Sequence, residues 1–235
     1  MTDLAQNAPV DEARRFAARE HRLFIDGDWR DSANPARLQT VDPATGQHLS
    51  TLASAGAADL AAAVTAARAT LDGGAWSRLT PAERQNLLWR LGDLMDAHSE
   101  QLAALESLDT GKPIRDARLF DLPQAVAVTR YYAGWATKLN GETVNVSRPG
   151  EWHAYTVHEP VGVVAAIVPW NAPLMITMSK VAPALAAGCA VILKPAEQTP
   201  LTALYLAELC REVGLPAGAL GVLTGDGADL GSSLV

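Results

Sequence analysis

From residue 161 to the end, the chain repeats one pattern: a short, nearly unbroken apolar run, then a stretch with helical spacing. The runs are VGVVAAIV (161 to 168), AVIL followed by Lys194 (190 to 194) and ALGVL followed by Thr224 (219 to 224). Strands that lack polar alternation must be covered on both faces, as parallel strands flanked by helices are. Helices over 173 to 187 and 200 to 213 fill the gaps, with Thr199-Pro200 read as the start of the second and Gly214 as its end. The pattern predicts a doubly wound, Rossmann-like α/β unit. Only three strands are present, and GDGADLGSSLV breaks off in the first turns of a new helix. The unit is expected to be incomplete at its C-terminus.

Upstream, the punctuation is equally local. HRLFIDGDWRDS sets Asp26-Gly27 between apolar runs, the signature of a tight hairpin near 22 to 30. AADLAAAVTAARATLD reads as a helix closed by Gly73-Gly74. Thr80, Pro81 and Glu83 form a capping box with proline at the first helical position. A further helix is predicted over 115 to 137. GETVNVS and EWHAYTVHE, joined at Arg148-Pro149-Gly150, read as a long extended hairpin over 142 to 158. Such a ribbon is only marginally stable alone, so it lies on the body or on a neighbouring subunit. Four segments are expected: a polar N-terminus (1 to 20), a mainly helical part (21 to 139), a hairpin (140 to 159) and the βαβαβ portion (160 to 235).

Composition narrows the function. The chain has 235 residues, a formal charge of -7 and dispersed lysines and arginines, so no basic stripe favours nucleic acid or an anionic membrane. Its N-terminus lacks an export signal, and its apolar runs fall well short of a membrane span. A cytoplasmic protein is expected. Cys189 and Cys210 sit inside apolar periodic segments, as buried thiols of a reducing compartment do. The five histidines have no metal-ligand spacing, and no zinc site is expected.

In doubly wound sheets ligands bind beyond the carboxyl ends of the strands. Three segments converge there: Asn171 after the first strand, Lys194 to Glu197 after the second, and Gly225 to Gly231 after the third. The turn TGDGADLG can admit a phosphate to backbone amides, or be simply a tight strand-to-helix turn. Lys194 and Glu197 can grip paired sugar hydroxyls, one donating and one accepting, or form a strand-end salt bridge. Asn171, between Pro169 and Pro173, is either a turn former or a rigid neutral donor suited to an oxyanion.

EPVGVVAAIVPWNAP, LAAGCAVILKPAEQTPLTAL and GLPAGALGVLTGDG strongly resemble the NAD(P)-dependent aldehyde dehydrogenase superfamily. FIDGDW, DPATG, LDTGKP, YYAGWA and NGETV precede them in the family's order. The resemblance implies the N-terminal portion of an enzyme that oxidises an aldehyde to a carboxylic acid through a cysteine thiohemiacetal and thioester. Asn171 then matches the oxyanion amide. Lys194 and Glu197 match the residues that hold the adenosine ribose of NAD, with NADP also possible because a lysine tolerates a 2′-phosphate. Ile167, Val168, Pro169 and Trp170 would line the cofactor cleft, Gly225, Gly227 and Leu230 the adenine and pyrophosphate side. Met178 is read either as core or, with Trp170, as lining the aldehyde funnel. Thr40, Asp109 and Gln198 match positions around a monovalent cation in some relatives. The 142 to 158 ribbon would join a homodimer or homotetramer.

The family's cysteine nucleophile and glutamate base lie in the part that follows residue 235. Cys189 and Cys210 match no catalytic motif and stand in no electropositive, exposed setting. Alone, the chain is expected to be inactive. The alternative is a non-catalytic protein that binds nucleotide or joins a full-length relative. An ordinary Rossmann dehydrogenase is disfavoured by the glycine spacing G-x-G-x-x-x-G.

Overall fold

The computed structural model describes residues 2–235, with side chains from Ala8 onward. The chain opens with α1 (Thr2–Ala17), β1 (Glu20–His21), β2 (Leu23–Ile25), β3 (Asp28–Arg30), β4 (Arg37–Val41) and β5 (His48–Ala53). Next come α2 (Ala57–Leu71), α3 (Pro81–Ala97), α4 (Ser99–Thr110), α5 (Ile114–Asp116), a π-helical turn (Ala117–Asp121) and α6 (Leu122–Ala133). After β6 (Thr143–Val144) and β7 (Ala154–Tyr155), the alternating unit runs β8 (Val163–Ile167), α7 (Pro173–Ala186), β9 (Ala190–Lys194), α8 (Leu201–Glu212) and β10 (Leu220–Val222). A second π-helical turn (Gly227–Gly231) follows. The fold is α/β.

β8, β9 and β10 are parallel neighbours, as their apolar runs require. Along β9 the side chains alternate between faces: Val191 and Leu193 join the main core with α3, α4, α6, α7 and α8, while Ile192 joins a smaller cluster under α2. The sheet has five strands rather than three, in the order β3-β2-β10-β9-β8. The Asp26-Gly27 hairpin adds itself antiparallel to β10 and so covers the edge that the parallel unit alone would leave open. Both turn residues have positive φ, 58° and 76°, as a two-residue hairpin demands.

Several expectations need correction. The N-terminal segment is not merely polar: Ala13, Phe16 and Ala17 lie at helical spacing on one face of α1 and are buried in the main core. The region after residue 20 is stranded before it is helical. β1, β5 and β4 make a second sheet, tied to the first where Thr224 Oγ1 donates to Ala53 O at 2.6 Å.

The 142 to 158 ribbon pairs over only two positions, Thr143 with Tyr155 and Val144 with Ala154. Among the described residues no third strand pairs with it. At its base, Gly141 approaches Thr156 so closely that a Cβ would lie 1.7 Å from the carbonyl oxygen.

Thr199 does not cap α8. Its hydroxyl is buried without a partner among the described residues, and the N–H of Leu201 donates instead to Asp109 Oδ2 at 2.7 Å. The cap comes from α4, far away in sequence.

Candidate functional site

The strand register brings the three expected segments level. Ile167 pairs with Lys194, Val222 pairs with Leu193, and the N–H of Val168 donates to Lys194 O at 3.1 Å. Chain reversal after each strand then delivers Asn171, Lys194 to Glu197 and the Gly225 turn to the same carboxyl edge.

Lys194 is enclosed there, its side chain 3% exposed against 34% for Glu197. Its ammonium donates to Glu197 Oε2 at 3.2 Å and to Pro195 O at 3.1 Å. An ammonium has three N–H donors, so one remains available. The glycine turn closes over this pair. A methyl group on Gly227 would sit 3.6 and 3.8 Å from the two Glu197 carboxylate oxygens, and one on Gly231 would sit 3.9 Å from Lys194 Cδ and Cε. Gly231 closes the expected Gly225 to Gly231 segment and is the third glycine of TGDGADLG. Asp226 orders the turn, accepting from Ala228 N at 2.6 Å.

Not every expected residue faces the cleft. Leu230 is buried among Leu23, Ile25 and Ala55, packed against Gly225, where a Cβ would meet Leu230 Cδ2 at 2.6 Å. Leu230 therefore supports the turn from beneath. Val168 is buried, whereas Ile167, Pro169, Trp170 and Asn171 are exposed along the strand end. Met178 is fully buried in the core.

The Asn171 side chain makes no hydrogen bond among the described residues, while its backbone carbonyl accepts from Lys112 Nζ at 3.1 Å. Lys112 also reaches Asp121 Oδ2 at 2.7 Å and Glu106 Oε1 at 3.4 Å. Burial pushes the Glu106 carboxyl up to about 7, against the pull of Lys112. Nothing local in LDTGKP signals this role, because the partners of Lys112 at Asp121 and Asn171 lie outside the motif.

Thr40 Oγ1 and Asp109 Oδ1 are both buried without partners among the described residues. Burial also raises the Asp109 carboxyl well above its ordinary range. The segments carrying them meet where Gly111 packs on Pro43. Gln198, by contrast, is exposed and its amide donates to Glu197 at 3.5 Å. No group of three or more His, Cys, Asp or Glu residues among the described residues can hold a metal.

Residues 29–235 match the model of the aldehyde dehydrogenase family. The chain belongs to this family. It is 47% identical to the phenylacetaldehyde dehydrogenase of Pseudomonas fluorescens, covering 92% of this chain and 44% of that protein. It is 48% identical to the NADP/NAD-dependent aldehyde dehydrogenase PuuC of Escherichia coli (strain K12), covering 92% of this chain and 43% of that protein. An NAD+ complex of the aldehyde dehydrogenase from Bacillus cereus superposes with a TM-score of 0.92 at 42% identity, covering 95% of this chain and 45% of that one. The chain thus spans somewhat under half the length of these relatives. No described helix is long and apolar enough to cross a membrane.

Proposed function

We propose that this chain is the cofactor-binding part of an NAD-dependent aldehyde dehydrogenase, an oxidoreductase that converts an aldehyde to a carboxylic acid. The observation that carries this reading is the enclosed Lys194 ammonium, with one donor to spare beside Glu197 under the glycine turn. Together they suit vicinal ribose hydroxyls: the ammonium donates to one and the carboxylate accepts from the other. Glu197 disfavours a 2′-phosphate by like charge, while Lys194 tolerates one, so NADP binds more weakly than NAD. Bound NAD supplies the hydride acceptor. Asn171 supplies a neutral N–H donor for the oxyanion, on a segment stiffened by Pro169 and Pro173. The B. cereus NAD+ complex supports the cofactor assignment by likeness.

Calorimetric titration with NAD and NADP tests this. NAD is expected to bind and Glu197→Gln to narrow its advantage over NADP; no binding of either nucleotide would refute the reading.

The chain alone is proposed not to turn over aldehyde. Cys189 and Cys210 are both buried, out of reach of a substrate, and burial pushes the Cys210 thiol up to about 12. Aldehyde-dependent NADH formation by the isolated chain would overturn this.

The hairpin is proposed as the contact through which the protein forms a homodimer or homotetramer, or joins a full-length relative. Trp152, Tyr155 and Val157 all lie more than half exposed on it. Light scattering of Tyr155→Asp against the parent reports that contact. The two orphaned oxygens of Thr40 and Asp109 suit a monovalent cation; unfolding temperatures compared in potassium and choline chloride test it. Cytoplasmic residence fits two free, buried thiols.

A further inference from the structure

Lys112 lies outside the cofactor cleft, yet the chain is built to hold it still. Gly111 ends α4 in the left-handed region at φ 74° and turns the backbone over the last helical turn. There Ser107 Oγ donates to Lys112 O at 2.7 Å and the Lys112 N–H donates to Thr110 Oγ1 at 3.3 Å. Its ammonium then meets three acceptors, Asp121, Asn171 O and Glu106, which uses all three of its donors. Asp121 is the last residue of the first π-helical turn, an irregularity that often marks a functional position in a helix.

Glu106 holds the other side of the same loop. Its Oε1 faces Lys112, and its Oε2 accepts from the N–H of Leu174 at 3.4 Å, in the first turn of α7. The residue preceding α7, Ala172, offers no side-chain cap. Asn171 is therefore pinned at its carbonyl from one side and three residues later from the other. Its own amide is left without a partner among the described residues.

We propose that Lys112 is a positioning residue which, braced by Glu106 and Asp121, clamps the backbone of Asn171 so that its free side-chain amide points where an oxyanion develops. The proposal rests on the oxyanion reading of Asn171. The charged groups that face Glu106 are Lys112, Asp121 and, one turn further along α4, Asp109.

Hydrogen exchange on the 235-residue chain, corrected for intrinsic rates, tests this. In Lys112→Met, amides of 170 to 175 are expected to exchange at least tenfold faster, with NAD affinity within twofold of the parent. Asp121→Asn, a milder change, should give a smaller increase confined to the same segment. Unchanged exchange in both Lys112→Met and Asp121→Asn, or an increase spread evenly over α3, α6 and α8, overturns the clamp. The oxyanion reading fails separately, if Asn171→Ala leaves kcat unchanged when these residues are part of a longer protein that carries the nucleophile, while the clamp results stand.

Discussion

Lys112 and Lys194 are both lysines drawn out of solvent near the carboxyl edge of one sheet, each beside a carboxylate, and they differ in what is left over. Lys112 meets three protein acceptors. Lys194 meets two, one of them the carbonyl of the next residue. The carboxylates differ in parallel: Glu106 is wholly enclosed, while Glu197 is one-third open to solvent. Saturation makes a lysine part of the scaffold; a spare donor beside an open carboxylate makes it a ligand grip. Burying Glu106 stabilises nothing by itself at neutral pH, and an apolar side chain of similar size would serve the core as well.

The sharpest way to break the comparison is through pH. The folded Glu106 carboxyl stands at about 7 against an ordinary 4.5, so the folded state binds that proton more tightly than the unfolded one. Its contribution, about 3 kcal/mol at most, is full below pH 4.5 and lost as pH rises through 7. Glu106→Gln should remove that loss and match or exceed the parent above pH 7 in urea unfolding. His21 slopes the other way: burial holds its imidazole down at about 4, so its contribution is lost as pH falls from 6.5 towards 4. His21→Gln measured over the same range separates the two.

A smaller effect is expected from Lys112→Met, which strands Glu106 and Asp121. Breaking a buried pair typically costs 3–5 kcal/mol, and because Glu106 can take up a proton the loss here should be nearer 2 kcal/mol, read from the urea midpoint. NAD affinity should hold. Lys194→Met should do the reverse, weakening NAD roughly tenfold to a hundredfold, about 1.4–2.8 kcal/mol, with a lesser change in stability. If both variants damaged stability and binding alike, the distinction between scaffold and grip would be wrong. The smallest effect belongs to a site remote from both lysines: Thr80→Ala removes the hydroxyl that accepts from Glu83 N and should lower unfolding free energy by about 1 kcal/mol.

Much of this architecture was legible because its signals are local. Asp26-Gly27 turns where two positive φ angles are needed, and Thr80, Pro81 and Glu83 start α3 with both capping-box bonds in place. The strand and helix alternation from 161 needed only apolar runs and their spacing. The placement of Asn171, Lys194 and Glu197 at one edge followed from that topology. By contrast, the identity of the α8 cap was not legible, because Asp109 lies 92 residues from the N–H it accepts. Leu230 reads as a cleft residue in its motif and is core in the fold, since its helical turn rotates it under Gly225.

By itself, then, the sequence determined the Asp26-Gly27 hairpin, the start of α3, the strand and helix alternation from 161 and the residue types at its open edge, because each depends on neighbours within a few positions. Only the tertiary structure decided that the N-terminal hairpin completes the sheet, that α1 enters the core, and that one lysine is saturated while the other keeps a donor free. Those outcomes depend on contacts between distant segments. A lysine's spare bonding capacity is a property of everything packed around it, and no local pattern carries it.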